Sequence, residues 1–540
     1  MKTFCFFIFL AWITSFSSLS AQTIQRPKLV VGIVVDQMRW DYLYRYYSRY
    51  GAGGFKRLLG DGFSCENTFI PYTPTNTAAG HACIYTGSVP ALNGMMGNTW
   101  YDRIRKKVVY CTEDHSVQTV GSESVEGKMS PRNLWSSTIT DELRLATNFK
   151  NKTISIAIKD RGSILPGGHS SNGSYWFDNS SAGWISSNFY MQELPSWLKK
   201  MNERKIPDSL MKRAWNTLYP LHTYTASTTD SNTYEGRLPG EDFTFPHRTD
   251  TITRSRSESF RHTPGAATYT FETAKEAIRG EKLGSRGVTD FLAVSLSSLD
   301  YAGHVFGPNS VEIEDHYLRL DKDLESFLRF LDTRVGKGQY LLFLTSDHAA
   351  AQNTGFLRDQ HFPVGSFDQA AIRRQMNDSL EKIFRKGNLI SQYISYQLYL
   401  NDSVIQAAGL DKGAIKSFII DYMMRQPAVS QVIDLSNLAN TTLNARLRMM
   451  LENSYNQKLG SDLQIIPRPQ WLEGWRTGTN HGQWNPYDSH IPLLWFGWKI
   501  RQGHTNREVY MTDIAPTLAA LLHIQMPNAS IGKVIEEITK

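Results

Sequence analysis

"KLVVGIVVDQ", residues 28–37, decides the fold. From Leu29 to Val35 every residue is apolar or glycine. A strand wetted on one face alternates apolar with polar, so an unbroken run means that both faces are covered, as in a parallel sheet between helices. Two further runs have the same character: "FLAVSLSSLD" (291–300) and "QYLLFLTSDH" (339–348). "TISIAIK" (153–159) and "IPLLWFG" (491–497) are predicted as additional strands. "TDIAPTLAALLHI" (512–524), opening on Thr and Asp, is predicted as a capped amphipathic helix. The expected class is α/β, a doubly wound, mostly parallel central sheet flanked by helices. The more polar intervals around 185–285 and 350–470 are read as insertions on one catalytic domain spanning 22–540.

Composition agrees with a packed enzyme-sized core. The chain has 540 residues, 41% hydrophobic and 12% aromatic, which excludes intrinsic disorder. A formal charge of +7 is spread along the chain with no basic tract, so it favours anionic small molecules and argues against a nucleic-acid partner. Residues 1–21, "MKTFCFFIFLAWITSFSSLSA", have the layout of a secretory signal peptide: an early Lys, an apolar run from Phe4 to Ile13, then small residues. That run is too short to span a bilayer and no later stretch is long enough, so the expectation is a periplasmic or secreted monomer without a transmembrane anchor. Removal of the signal takes Cys5 with it and leaves Cys65, Cys83 and Cys111, which allow at most one internal disulfide.

Chemistry gathers where the apolar runs stop. Each ends in an aspartate, Asp36, Asp300 or Asp347, and in a parallel sheet ligands collect beyond the carboxyl ends of strands. Three carboxylates converging on one edge repel unless a cation lies between them. "DYAGH", "SDH" and "TNHGQW" add His304, His348 and His481. Carboxylate and imidazole without sulfur suit zinc in an open catalytic site, and this many groups could serve two ions. "PYTPTNTAAGHACIYTG" (71–87) is chemically rich as well. Read locally, Thr75, Asn76 and Thr77 are good caps for a helix from Ala78 to Tyr85.

The ordered set "VVDQMRWDYL", "PYTPTNTAAGHACIYTG", "GNTWYD", "IKDRG", "LDYAGHVFGP", "TSDHA" and "TNHGQW" resembles the flavobacterial PafA-type periplasmic alkaline phosphatases, within the type I phosphodiesterase and nucleotide pyrophosphatase branch of the alkaline phosphatase superfamily. The resemblance runs from about residue 28 to the C-terminal helix. It implies an alkaline phosphatase-like fold and two zinc ions, one among Asp36, Thr77, Asp347 and His348, the other held by Asp300, His304 and His481. It implies Thr77 as the nucleophile, forming a phosphothreonine, and Asn98, Lys159 and Arg161 as phosphate contacts. A strand end reading Lys, Asp, Arg would put side chains 159 and 161 on one face, with Asp160 structural. His81, "DQHFP" (359–363) and His490 are expected in packing, second-shell or loop roles.

The implied activity is broad hydrolysis of phosphate monoesters. Its nearest rival is a phosphodiesterase or nucleotide pyrophosphatase on the same metal pair. Diesters carry less charge on phosphorus and a second organic group, so two cations favour the monoesterase. A sulfatase would need Cys or Ser followed by x-Pro-x-Arg near the nucleophile, which is missing. From a different class, a zinc-dependent phosphate-binding protein on the same fold is separated from the enzyme by a turnover assay.

Overall fold

The computed structural model describes residues 24–238, 243–474 and 477–539; the proposed signal segment 1–21 lies outside them. Its centre is an 11-stranded sheet. The strands that matter for the site are β1 (Leu29–Val35), β2 (Phe63–Phe69), β3 (Thr153–Ala157), β4 (Gly173–Asp178), β5 (Gly183–Ser187), β6 (Asp290–Leu296), β7 (Tyr340–Thr345), β8 (Leu493–Gly497) and β9 (Gly503–Tyr510). The spatial order β7-β1-β6-β3-β4 forms a parallel centre. Antiparallel β8 continues one edge towards β2, and antiparallel β5 the other.

Burial on both faces is visible within β1 itself. Leu29, Val31, Ile33 and Val35 enter one apolar core, and Val30 and Val34 enter another. The first core is covered by α3 (Pro264–Glu281) and α5 (Val311–Leu331), the second by α1 (Thr77–Thr86) and α6 (Ile514–Leu522). Helices on both faces of a parallel sheet make the doubly wound architecture.

Two expected strand ends are helix starts. β6 stops at Leu296 and α4 (Ser298–Phe306) begins at once, so Asp300 and His304 stand one helical turn apart, not at a strand tip. Lys159 is the N-cap of α2 (Asp160–Gly167), and Arg161 lies on its first turn, so strand alternation does not place them. A continuous apolar run cannot mark where its backbone changes from extended to helical.

The chain between 185 and 285 adds Leu198, Trp215 and Phe260 to the main core. Residues 372–465 have an apolar core of their own and a four-stranded sheet in the order Ile390–Ile394, Gln397–Leu400, Leu463–Pro467, Val429–Asp434. A hairpin of the main body, Thr99–Asp102 with Lys107–Tyr110, reaches this outlying sheet. There Arg103 pairs with Asp402 and Asp462 at 2.8 Å each. Cys65, Cys83 and Cys111 are buried free thiols. Burial pushes the Cys111 thiol up to about 12.

Candidate metal centre and active site

The loops after β1 and β7, the start of α4 and the segment before β8 bring Asp36, Asp347, Asp300 and His481 together. Asp36, Asp300 and Asp347 are 0%, 2% and 0% exposed. His304 Nε2 stands 3.2 Å and His481 Nε2 3.7 Å from Asp300 Oδ1. His348 Nε2 is 3.5 Å from both Asp36 Oδ1 and Asp347 Oδ2, and its ring stacks on His481 at 3.5 Å.

The other nitrogen of each ring decides what this means. Nδ1 of His304, His348 and His481 faces the carbonyls of Thr479, Ala349 and Thr75 at 2.9, 3.0 and 2.6 Å. A carbonyl only accepts, so Nδ1 carries the proton and, in a neutral ring, the Nε2 lone pair faces the carboxylates; burial lowers the His304 imidazole, but Asp300 outweighs it and holds that ring above its usual range. Burial pushes the His348 imidazole down; burial with the nearby His348 and His304 pushes His481 well below its usual range, which keeps both neutral. Asp36 Oδ1 and Asp347 Oδ2 have no hydrogen-bond partner, and burial together with Asp347 pushes the Asp36 carboxyl well up. Lone pairs meeting buried carboxylate oxygens repel, and a divalent ion between them reverses the sign. The residues therefore fit a metal. Two trios have ligand atoms within 4.8 Å of one another: Asp300, His304, His481 and Asp36, Asp300, His348. Asp347 stands outside the tighter trios but against His348.

Thr77 opens α1, 1% exposed, with Oγ1 3.4 Å from His348 Nε2 and 3.4 Å from Lys159 Nζ. Lys159 Nζ in turn reaches Asp36 Oδ2 at 2.7 Å and Asp300 Oδ2 at 2.5 Å. Burial alone would lower this ammonium, but Asp300 and Asp36 outweigh it and hold the group above its usual range. Asn98 Oδ1 accepts the Ala78 amide at 2.9 Å, capping the helix that presents Thr77. Arg161 is held from the side: its Nη1 donates to the Tyr110 hydroxyl at 3.0 Å, and that hydroxyl donates to Asp160 at 2.7 Å. The ten residues singled out in the sequence thus fall in one connected site.

Sequence reasoning missed the supports. Gln37, with φ 65°, donates its side-chain amide to Asp300 at 2.7 Å and its backbone NH to Asp347 at 3.2 Å. It can do so because Gly303 faces it: a Cβ there would strike Gln37 Oε1. Thr75, read as a cap, instead accepts the His481 ring NH on its carbonyl and the Gly482 amide on its hydroxyl at 3.0 Å. Asp160, read as structural, anchors Tyr110 and so Arg161. No local pattern announces any of these, since each partner comes from a distant part of the chain. His81 lies between Ser295 at 2.8 Å and Asp347 at 3.4 Å, behind the site. His490 stacks on Trp40 at 4.7 Å and stays outside it.

The profile of the type I phosphodiesterase/nucleotide pyrophosphatase family matches residues 30–418. Alkaline phosphatase PhoV of Synechococcus elongatus is 51% identical over 526 residues, 97% of this chain and 95% of the relative. Alkaline phosphatase PafA of Elizabethkingia meningoseptica is 45% identical, with 95% of each chain covered. A relative from Myroides odoratus named calcium-transporting ATPase is 48% identical over 99% of this chain and 97% of its own. The crystal structure of wild-type PafA superposes with a TM-score of 0.94 at 44% identity, covering 96% of this chain and all of the other. The fold is therefore alkaline phosphatase-like, and the chain belongs to the type I phosphodiesterase/nucleotide pyrophosphatase family.

Proposed function

We propose that this protein is an alkaline phosphatase that hydrolyses phosphate monoesters through a covalent phosphothreonine. The observation that carries the reading is a buried Thr77 hydroxyl between the carboxylate and imidazole cluster and the Lys159 ammonium, with Arg161, braced by Tyr110, on the first turn of the helix that Lys159 caps. A monoester presents a doubly charged phosphoryl group, which two cations match better than an apolar wall would. In line with this, a solved variant of PafA is altered at one Thr, one Asn, one Lys and one Arg. The same four residue types stand here, in the same order, at Thr77, Asn98, Lys159 and Arg161.

Two zinc ions, one among Asp36, Thr77, Asp347 and His348 and one among Asp300, His304 and His481, would supply Lewis-acid charge to the attacking and departing oxygens. The rest is done by the chain. Thr77 sits at a helix N-terminus, where the dipole and free NH groups favour an incoming anion. Lys159 neutralises one non-bridging oxygen, Arg161 offers a planar fork to others, and the Asn98 amide nitrogen is free to donate because its oxygen is engaged by Ala78. Thr77 Oγ1 bonds to phosphorus as the bond to the alcohol oxygen breaks, and the proton given up by the threonine hydroxyl is balanced by the one the departing alcohol takes up; in the second step water's proton likewise returns to the Thr77 oxygen. Water then attacks phosphorus from the vacated side, the Thr77 oxygen leaves, and inorganic phosphate is released.

The decisive test is kcat/KM for an aryl phosphate against its methyl diester, with metal-loaded protein at mildly alkaline pH. A ratio far above one is expected; a ratio below one would move the protein to the phosphodiesterase reading. ATP belongs in the same panel because of the Myroides relative's name, and its terminal phosphoryl group presents the same charge. Among the described residues no helix is long and apolar enough to cross a membrane. We also propose that 22–540 acts as one catalytic, monomeric, exported domain after loss of residues 1–21. Protein sequencing of the mature N-terminus and light scattering check this.

A further inference from the structure

The phosphomonoesterase reading leaves the alcohol part of the ester without a place. A cavity of about 190 Å³ adjoins His304 and His481, and its other walls include Asn76, Ser395, Tyr396 and Glu473. Two of these groups have no task so far. Asn76 holds the N-cap position of α1 but makes no capping hydrogen bond, because Asn98 already takes the Ala78 amide. Asn76 is only 8% exposed and its Nδ2 has no hydrogen-bond partner. A buried donor left unpaired is destabilising unless a ligand supplies the acceptor.

Glu473 follows the outlying segment, in a short strand paired with Ser366–Phe367, and is fixed at its backbone, where its carbonyl accepts from Asn480 Nδ2 at 3.0 Å. Burial and the neighbouring Asp368 push its carboxyl up to about 7, so it is an ionised acceptor in the alkaline range. Ser395 and Tyr396 are the two-residue connection between Ile390–Ile394 and Gln397–Leu400, and both have positive φ, 50° and 64°. Hairpins of this kind favour Asn-Gly. Here two residues with side chains occupy them, and they do so at the wall of the cavity.

We propose that this cavity is a leaving-group subsite that selects phosphate esters of small hydroxylated alcohols, with Glu473 accepting from a substrate hydroxyl and Asn76 donating to a hydroxyl oxygen. The proposal rests on the monoesterase reading. Such an ester is matched at both ends, its phosphoryl group by Lys159 and Arg161 and its hydroxyls by an acceptor and a donor. An alkyl chain offers nothing to Glu473 or Asn76 and leaves the Asn76 amide desolvated without a partner.

The test is the ratio of kcat/KM for sn-glycerol 3-phosphate to that for n-propyl phosphate, which share a three-carbon skeleton. It is measured for the metal-loaded wild type, Glu473→Leu and Asn76→Ala. Intrinsic differences in leaving-group reactivity cancel when the ratio is compared between enzymes. Loss of one net hydrogen bond should lower the ratio about tenfold in Glu473→Leu and several-fold in Asn76→Ala. In the wild type the ratio should also fall as pH drops through about 7 and Glu473 takes up a proton. If Glu473→Leu fails to fold, Asn76→Ala decides alone. A ratio within about twofold of wild type overturns the subsite, even if both esters react more slowly. Turnover of neither ester by the wild type overturns the monoesterase reading beneath it, a result distinct from turnover without selectivity.

Discussion

Thr77, Gln37 and Tyr110 do different kinds of work, and single substitutions separate them. Thr77→Ala removes the atom that bonds to phosphorus, so monoester turnover should fall by about 10³-fold or more while metal content stays near wild type. Turnover close to wild type in that variant would end the nucleophile assignment. Gln37 touches no substrate; it orients Asp300 and Asp347 at once. Gln37→Ala should therefore weaken metal retention about 10- to 100-fold in a chelator competition. Gln37→Gly also relieves the positive φ and should lose metal to the same extent, which distinguishes the lost hydrogen bonds from backbone strain. Tyr110→Phe frees Arg161 from its brace and should lower kcat/KM for monoesters about tenfold, with little change for methyl diesters. Equal losses on both substrates would show that Tyr110 does not act through Arg161.

At the scale of elements, α1 is pressed against the metal centre. Gly80 makes this possible: a Cβ there would collide with the backbone carbonyl of Asp347. Gly80→Ala should cost about 1–3 kcal/mol and displace Asp347, lowering both the melting temperature and the metal content; an unchanged variant would mean that the helix moves aside freely. The legibility of the chain divides along the same line. β1, β6 and β7 were legible because two-faced burial writes itself as unbroken apolar runs, and Asp36 and Asp347 follow those strands directly. Asp300, Lys159 and Arg161 were singled out in the sequence but placed on the wrong element, since nothing local says that a helix starts after Leu296 or Ala157. Gln37, Thr75, Tyr110 and Glu473 were illegible as functional residues, because their meaning lies in partners far away in the chain. Asn76 reads as a cap, and only the presence of Asn98 on the same helix end removes it from that role.

For the molecule as a whole, the metal centre is also a clasp. Asp36, Asp347, Asp300 and His481 come from widely separated parts of the chain, so ions that bind them bind the folded state alone. Chelation should lower the melting temperature by several degrees, and readdition of zinc should restore both stability and activity. Free ion at a thousandfold above its dissociation constant is worth about 4 kcal/mol by mass action. A melting temperature indifferent to chelator would mean that the carboxylate cluster is held by Lys159 without need of metal.

The segment with its own core and its own sheet is a packing unit distinct from the central sheet. It joins the rest through the Arg103 clasp and through Asn453 and Ser454, which bond to Pro71 and Thr73, and it lends Ser395 and Tyr396 to the cavity wall. The wall that meets the alcohol is thus shared, Asn76 coming from the catalytic body and Ser395 and Tyr396 from the outlying segment. Changes confined to the Ser395–Tyr396 turn can reshape that wall, while the machinery around Thr77 stays intact.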